Sequence, residues 1–283
     1  MLQKHLVLGL LLLSLKVNAQ YPKNPIKPSS KLERLQAIEQ RKDLVKNSMY
    51  LGIDATNIGP TIMSGRVVDV AIDPYDSKHF FVAYATGGVW ETKNNGHSFY
   101  PVFDENGYTT NCGALAVNWV EKIIYVGTGE ANSSRSSYPG YGVFKCDFSI
   151  NSPSVWKNWE NIGLIATQHI SRILLHPTNN KTIYVAAMGN LFSPNPERGV
   201  YKTTNGGNSW TKTLYVDSNT SAVDIELHPK NPSKLVAAMW QKSRRGWNFW
   251  EGGSSSGVYI YLLMAERLGI SVPHSPQEKT SVE

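Results

Sequence analysis

The sequence predicts an all-β fold, a β-propeller with about four blades of an incomplete and larger ring, preceded by a short helix. A pattern of successive strands occurs four times along the sequence, and a polar turn occurs twice at the same place in that pattern. Both observations predict this fold class. Composition agrees, because 283 residues with 8 Trp, 14 Tyr and 23 Gly are typical of a globular chain rich in β structure.

The strand pattern combines an alternating apolar strand, a short polar turn, a second apolar strand and a third strand of Gly-Val-aromatic type. A fourth strand is predicted in the first three repeats, at 98–103, 154–159 and 209–216. Four antiparallel strands in roughly 40–50 residues are the signature of a propeller blade. The first turns of the four repeats contain Asp73-Pro74, Asn118-Trp119, His176-Pro177 and His228-Pro229.

The recurring polar turn reads TKNNGHSF at 92–99 and TTNGGNSW at 203–210. Both copies place a hydroxyl, an Asn, a Gly, a Ser and an aromatic residue at matching positions. Such a turn forms a hairpin in which the Asn side chain caps backbone N–H groups and Gly takes a positive φ. We therefore expect a structural clasp between the third and fourth strands of a blade.

The N-terminus has the pattern of a secretory signal. Lys4 and His5 precede the apolar run 6–15, and small residues then predict cleavage near Ala19. We expect a secreted or periplasmic protein with no membrane span, because the run is too short to cross a bilayer. A buried N-terminal helix is the alternative.

Residues 20–48 are predicted to form a Pro/Lys-rich linker followed by a helix at 29–47. Ser30 and Glu33 fit a capping box, and Leu32, Leu35 and Ile38 fall on one side of that helix.

Charge, cysteine and histidine content argue against several kinds of binding site. The net charge of +6 is concentrated before residue 49, where 21–48 hold seven Lys and Arg against three Asp and Glu. The predicted body is about neutral, so no nucleic-acid partner is expected.

Cys112 and Cys146 are predicted to be free thiols at opposite ends of separated strands. The seven His lack metal-ligand spacing and no phosphate-binding loop is present, so neither a metal nor a cofactor is expected.

The repeated sequence pattern ends after Ile260 in the last repeat. Residues 261–271 read YLLMAERLGIS where a clasp is expected, and one back-translation of them spells Ser-Thr-Asp-Gly-Gly-Lys-Thr-Trp in another frame. This predicts that blades occupy 49–260 and that 261–283 are an out-of-frame tail on a fragment of a longer protein. A natural helical tail is the alternative.

Candidate binding residues lie in the loops between second and third strands, which are predicted to share one rim. Aromatic rings beside Arg and carboxylates suit sugar rings or extended peptides. These candidates are Glu130, Asn132, Arg135, Tyr138, Asn195, Glu197, Arg198, Arg245, Trp247 and Trp250. The alternative is that several of them, Arg198 and Glu130 included, only tie down their own loops.

Three further basic residues are expected near the inner strands. Arg66, His169 and Arg172 either face a central channel or form pairs with Asp69 and Asp224.

The segments SGRVVDVAIDP, ATGGVWET, GTGEAN and LFSPNPERGVYKTT resemble the secreted bacterial BNR/Asp-box repeat "glycosyl hydrolase" family and sortilin N-terminal propellers. The resemblance covers about 50–260 and implies that the two clasps are Asp-boxes with Asn in place of Asp. Members of the family are usually far longer.

Two functions remain open at the level of sequence. The first is an exported module that binds a peptide or glycan. The second is a glycoside hydrolase with part of its catalytic pair outside this chain, for which Glu91, Glu130 and Glu197 are the local candidates. Xyloglucanase-type enzymes, which have a fold related to that of the family named above, carry a catalytic Asp that the similar segment 85–88 lacks.

Overall fold

The computed structural model describes residues 27–53, 65–132, 137–150, 152–244 and 248–262. The predicted signal peptide and residues 263–283 of the predicted tail lie outside these ranges. Within them, one α-helix, α1 (Lys31–Lys46), precedes sixteen strands. This helix is neither long nor apolar enough to span a membrane.

The sixteen strands form four antiparallel sheets that follow one another along the chain. Blade 1 comprises β1 (Val67–Ile72), β2 (Phe80–Tyr84), β3 (Gly88–Thr92) and β4 (Tyr100–Pro101). Blade 2 comprises β5 (Cys112–Asn118), β6 (Ile123–Thr128), β7 (Val143–Asp147) and β8 (Glu160–Gly163). Blade 3 comprises β9 (Ile170–Leu175), β10 (Ile183–Ala187), β11 (Gly199–Thr203) and β12 (Thr211–Leu214). Blade 4 comprises β13 (Thr220–Leu227), β14 (Lys234–Arg244), β15 (Phe249–Glu251) and β16 (Gly257–Leu262).

The sheets are arranged as propeller blades, which confirms the predicted fold class. Their first strands, β1, β5, β9 and β13, pack against one another in chain order. A separate apolar core lies between each pair of successive blades. Alternate residues of a middle strand serve opposite cores: Ile183 of β10 packs towards blade 2, and Tyr184 packs towards blade 4. This is why the middle strands read as continuous apolar runs.

Two glycines let blades 2 and 3 approach closely near the axis. A Cβ at Gly113 would lie 2.0 Å from the carbonyl oxygen of Ile170. A Cβ at Gly129, where φ is +86°, would lie 1.9 Å from the carbonyl oxygen of Gln168. Backbone cannot move away cheaply, so these positions require glycine.

The clasps form as the sequence predicts. Asn205 Oδ1 accepts the Ser209 N–H at 3.0 Å, and its Nδ2 donates to Ser209 Oγ at 2.8 Å. Thr203 Oγ1 accepts the Gly207 N–H at 3.0 Å. The three equivalent bonds within residues 92–99 all measure 2.9 Å. The hydroxyl and amide side chains thus satisfy the backbone of a tight turn.

Two strand predictions were wrong. Residues 154–159 do not form a strand: Pro153–Lys157 is a 3₁₀ turn, and the fourth strand of blade 2 is β8. Packing overrides strand propensity here, because Trp159 lies against Phe103 and donates to the Val102 carbonyl oxygen at 2.7 Å. In blade 4, the predicted loop 240–257 contains a hairpin in which β15 pairs with the end of β14.

The helix prediction was correct in span and wrong in orientation. Ser30 caps α1, since its Oγ accepts the Glu33 N–H at 3.2 Å and Glu33 Oε2 accepts the Ser30 N–H at 2.6 Å. Leu32 is 66% exposed, whereas Arg34 and Ile38 are buried. The buried face of α1 therefore contains a charged residue that an apolar pattern does not reveal.

The two cysteines are free and buried in the core between blades 1 and 2. Burial raises the pKa of both thiols, that of Cys146 to about 12. Such thiols are poor nucleophiles, so we assign them a packing role.

Candidate functional site

Antiparallel pairing divides the turns of each blade between two rims. The turns after the first and third strands, with both clasps, lie on one side, which we call the clasp rim. The second-to-third loops lie on the other side, which we call the loop rim: it comprises the described parts of 85–88, 127–142, 188–199 and 240–257. Most of the predicted binding residues are thereby brought to one side of the molecule.

The helix α1 lies on the loop rim, which the sequence did not indicate. Arg34 Nη2 donates to the Gly140 carbonyl oxygen, and its guanidinium lies 4.3 Å from the centroid of the Tyr141 ring. Arg41 Nη1 donates to the Tyr108 carbonyl oxygen at 3.3 Å. The helix is thus held against blade 2 mainly through basic side chains.

Exposed aromatic side chains occupy the loop rim on three neighbouring blades. Tyr138 of blade 2 is 53% exposed and Trp250 of blade 4 is 47% exposed. Phe192 of blade 3 and Phe249 of blade 4 are also exposed, although the sequence pattern did not single them out. The Arg244 guanidinium lies 4.6 Å from the Phe249 ring centroid.

Asn132 is exposed on the loop of blade 2. Three further candidates, Arg135, Arg245 and Trp247, lie outside the described residues.

Glu130 is enclosed and joins two blades. Its Oε1 lies 2.9 Å from Arg66 Nη2, and its Oε2 accepts a hydrogen bond from Ser137 Oγ. Its backbone N–H also donates to the Tyr138 carbonyl oxygen at 3.2 Å. The carboxylate therefore links the loop of blade 2 to Arg66 at the beginning of blade 1.

Arg198 is also enclosed and joins blade 3 to blade 4. Its Nη1 donates to the Asn219 carbonyl oxygen and to Ser221 Oγ, both at 2.8 Å. Its Nη2 donates to the Asn190 carbonyl oxygen at 2.9 Å. Burial lowers the pKa of Arg198 to about 10. These contacts match the interpretation in which Arg198 ties down its own loop.

The neighbours of Arg198 are less open than the sequence suggested. Asn195 is buried, and its Nδ2 donates to the Ser193 carbonyl oxygen at 2.8 Å. Glu197 is half-buried, and its Oε2 accepts a hydrogen bond from the Tyr201 hydroxyl at 3.1 Å. Burial and the Glu197 charge raise the pKa of Tyr201.

The pairings predicted for Arg66 and Arg172 near the inner strands had different outcomes. Arg172 pairs with Asp224 at 3.5 Å, as one alternative expected, and with Glu226 at 3.0 Å. Asp69 is not paired with Arg66, whose partner is Glu130 as described above. Its carboxylate instead accepts the Leu115 N–H at 2.8 Å and so links blades 1 and 2.

Two buried basic groups, Lys242 and His169, lie at the loop-rim ends of strands in blades 4 and 3. Lys242 of β14 is fully buried, with its ammonium 4.1 Å from the Trp240 ring centroid. His169 precedes β9 and is buried, with Nδ1 2.9 Å from the Gly189 carbonyl oxygen. Burial lowers the pKa of Lys242 to about 7 and that of His169 to about 4. The sequence predicted His169 near the axis but gave no signal for Lys242, since exposed strand ends often contain lysine.

Two of the three candidate carboxylates for hydrolysis, Glu91 and Glu130, lie at opposite ends of the sheets. Glu91 lies at the clasp end of β3, where Oε1 is 2.9 Å from His79 Nε2 and 3.4 Å from Lys93 Nζ. Glu130 lies on the loop rim, at the opposite end of the sheets. Across the described ranges, no three His, Cys, Asp or Glu side chains are grouped in a way that could hold a metal ion.

Comparison with solved structures finds likenesses in larger proteins. The GH74 enzyme of Niastella koreensis is 21% identical, with a TM-score of 0.47, over 70% of this chain and 29% of that one. The GH74 xyloglucanase of Xanthomonas campestris is 14% identical, with a TM-score of 0.46, over 74% and 31%. YCF48 bound to D1 peptide is 12% identical, with a TM-score of 0.39, over 71% and 54%.

The chain therefore spans about three tenths of the length of the GH74 enzymes. No protein-family model matches the chain, and no curated protein matches it. The resemblance to BNR-repeat and sortilin-type propellers stays a prediction, and likenesses of this size do not select a function.

Proposed function

We propose that this chain is an exported binding module whose loop rim holds an extended glycan or peptide. The observation that carries the proposal is the row of exposed aromatic side chains on the loops of blades 2, 3 and 4, with Tyr138 and Trp250 the most exposed. Aromatic faces stack on sugar rings and on peptide side chains, and loops held by rigid sheets can present them in fixed positions. The predicted signal peptide supports export.

Binding is favoured over hydrolysis within this part of the protein. Glycoside hydrolysis requires two carboxyl groups roughly 5–10 Å apart on either side of one bond. Glu91 and Glu130 lie at opposite ends of the sheets, and Glu130 is enclosed by Arg66 and Ser137. Neither of these two carboxylates is placed to act on a polymer lying across the loop rim. The third candidate, Glu197, is half-buried on that rim and accepts a hydrogen bond from the Tyr201 hydroxyl.

The test is a binding screen of the purified chain against soluble glycans and peptides, followed by two substitutions. We expect Trp250→Ala and Tyr138→Ala each to weaken binding about tenfold or more, because each removes an aromatic contact surface. The matched control is Tyr75→Ala, which removes a tyrosine that is 76% exposed in the first turn of blade 1, on the clasp rim.

Saturable binding without release of new reducing ends would support the proposal. Equal losses from the two loop-rim variants and the control, or no binding in the whole panel, would contradict it. Release of reducing ends that Glu130→Gln abolishes would establish the hydrolase alternative instead.

A further inference from the structure

A cavity of about 450 Å³ lies between blades 1 and 2, on the side of the clasp rim. Blade 1 supplies one wall from β3, β4 and the residues that follow these strands, and blade 2 supplies the other from the connection between β7 and β8. The volume is within the range of about 300–1,000 Å³ that is usual for small-molecule sites. None of the lining residues belongs to the loop rim, so the cavity is separate from the surface proposed above.

The connection between the third and fourth strands of blade 2 differs from those of blades 1 and 3. A clasp joins these strands in blades 1 and 3, whereas blade 2 uses the longer connection 148–159, which contains the 3₁₀ turn Pro153–Lys157. Within it, the rings of Phe148 and Trp156 stack with centroids 5.8 Å apart, and Trp156 also stacks on Trp159 at 6.2 Å. This stacking holds two of the aromatic rings that line the cavity in fixed positions.

Glu91 is the buried charged group of the cavity lining. It is 5% exposed, and its Oε1 lies 2.9 Å from His79 Nε2 and 3.4 Å from Lys93 Nζ. No hydrogen bond from the described residues reaches its Oε2. The second oxygen is therefore available to accept a hydrogen bond from a ligand hydroxyl.

The charges around the cavity balance one another. Its described lining contains the carboxylates of Glu91 and Glu105 and the ammonium groups of Lys93 and Lys157. Most of the remaining lining is apolar or aromatic, and the side chain of Tyr100 is 62% exposed. A charged ligand would be attracted by one pair of charges and repelled by the other. A neutral ligand with an apolar face and several hydroxyl groups matches the whole lining, because hydroxyls donate to carboxylates and accept from ammonium groups.

We propose that this cavity binds one neutral hexose ring. The aromatic side chains of Tyr100 and Trp156 contact the apolar face of the sugar, and Glu91 Oε2 accepts a hydrogen bond from one of its hydroxyls. A plain hydrocarbon of the same size is a poorer ligand, because it desolvates the carboxylate without pairing it. The site stands whether or not the loop rim binds a polymer.

The experiment titrates the purified chain with six sugars in calorimetry at about pH 6. The probes are D-glucose and D-galactose, each compared with its amino sugar and its uronic acid. At this pH the amino sugars are cations and the uronic acids are anions. We expect saturable binding of at least one neutral hexose, and binding of both its charged counterparts that is weaker by about tenfold or more.

Two substitutions connect the binding to the cavity. Tyr100→Ala should weaken hexose binding about tenfold, because it removes an aromatic contact surface. Glu91→Gln should have a similar effect, because it replaces a charged acceptor by a neutral one. The matched controls, Tyr75→Ala and Glu160→Gln, change exposed residues outside the cavity and should leave the affinity unchanged. Thermal unfolding of every variant separates loss of the ligand site from loss of the fold.

A neutral hexose whose binding is weakened by Tyr100→Ala and not by Tyr75→Ala would support the proposal. Absence of binding by all six sugars, preference for a charged sugar, or undiminished binding by Tyr100→Ala would overturn it. If Glu91→Gln does not fold, Tyr100→Ala alone carries the test, since Tyr100 is exposed. Trp250→Ala should leave hexose binding unchanged, and a loss in that variant would place the hexose on the loop rim and contradict the site.

Discussion

At the scale of single residues, the clasps show how local chemistry fixes a turn. Asn205 bonds to both the backbone N–H and the hydroxyl of Ser209, and Asn94 repeats this arrangement with Ser98. Trp210 follows the second clasp, and its Nε1 donates to the Ile162 carbonyl oxygen at 2.7 Å. The clasp therefore fastens blade 3 to blade 2 as well as closing its own hairpin.

We predict that Asn205→Ala destabilises the protein by about 1–2 kcal/mol, because it leaves the Ser209 N–H without its acceptor. Urea unfolding followed by tryptophan fluorescence measures this difference. The matched control is Asn208→Ala in the same turn, whose side chain is exposed and forms none of the clasp bonds. Equal effects of the two substitutions would show that the clasp bonds do not stabilise the hairpin.

At the scale of elements, the position of α1 is the feature that the sequence pattern did not indicate. It lies on the loop rim, and its buried residues are Arg34 and Ile38. The helix contacts the loop of blade 2 through the buried guanidinium of Arg34. Its described polar contacts with the rest of the chain are few, so α1 can separate from the blades without general unfolding.

We predict that Ile38→Ala weakens the docking of α1 by about 2 kcal/mol, since Ile38 is 3% exposed and the substitution removes buried methyl groups. Faster hydrogen exchange at the amides of α1, with little change in the blades, is the expected result. Leu32→Ala provides the control because Leu32 is 66% exposed on the same helix. Equal acceleration in both variants would mean that α1 is not docked through Ile38.

At the scale of the whole molecule, buried basic groups make stability depend on pH. Burial, together with nearby Arg34, Lys242 and Arg198, lowers the pKa of His169 from 6.5 to about 4. Between these values the unfolded chain binds a proton that the folded chain does not. Folding stability therefore rises with pH through this window and is lost as pH falls.

We predict that the free energy of unfolding rises between pH 4 and 6.5, with His169 contributing a slope of at most about 1.4 kcal/mol per pH unit. His169→Gln should flatten this part of the profile, whereas His97→Gln, at an exposed position in the first clasp, should leave it unchanged. Chemical denaturation at a series of pH values measures both slopes. A wild-type profile that is flat over this window would contradict the buried, neutral state of His169.

The sequence predicts features that depend on residues close together in the chain, and it does not predict features that depend on contacts between distant segments. The blades and clasps were predictable, because strand alternation and turn chemistry act between residues a few positions apart. The turn at Pro153–Lys157 was not, since Trp159 packs against Phe103, a residue of the preceding blade. The same applies to the site, where exposed Tyr138 and Trp250 agree with a binding rim but Arg198 is used internally.

The sequence by itself determined the repeating sheets, the clasps, the capped helix and the side of the molecule on which the long loops meet. Only the tertiary structure decided that α1 lies on that side, that Glu130 pairs with Arg66, and that Lys242 and His169 are buried. The physical reason is that burial and charge pairing depend on which distant segments come together. Arg34 and Gly140, for example, are 106 positions apart in the chain and joined by one hydrogen bond.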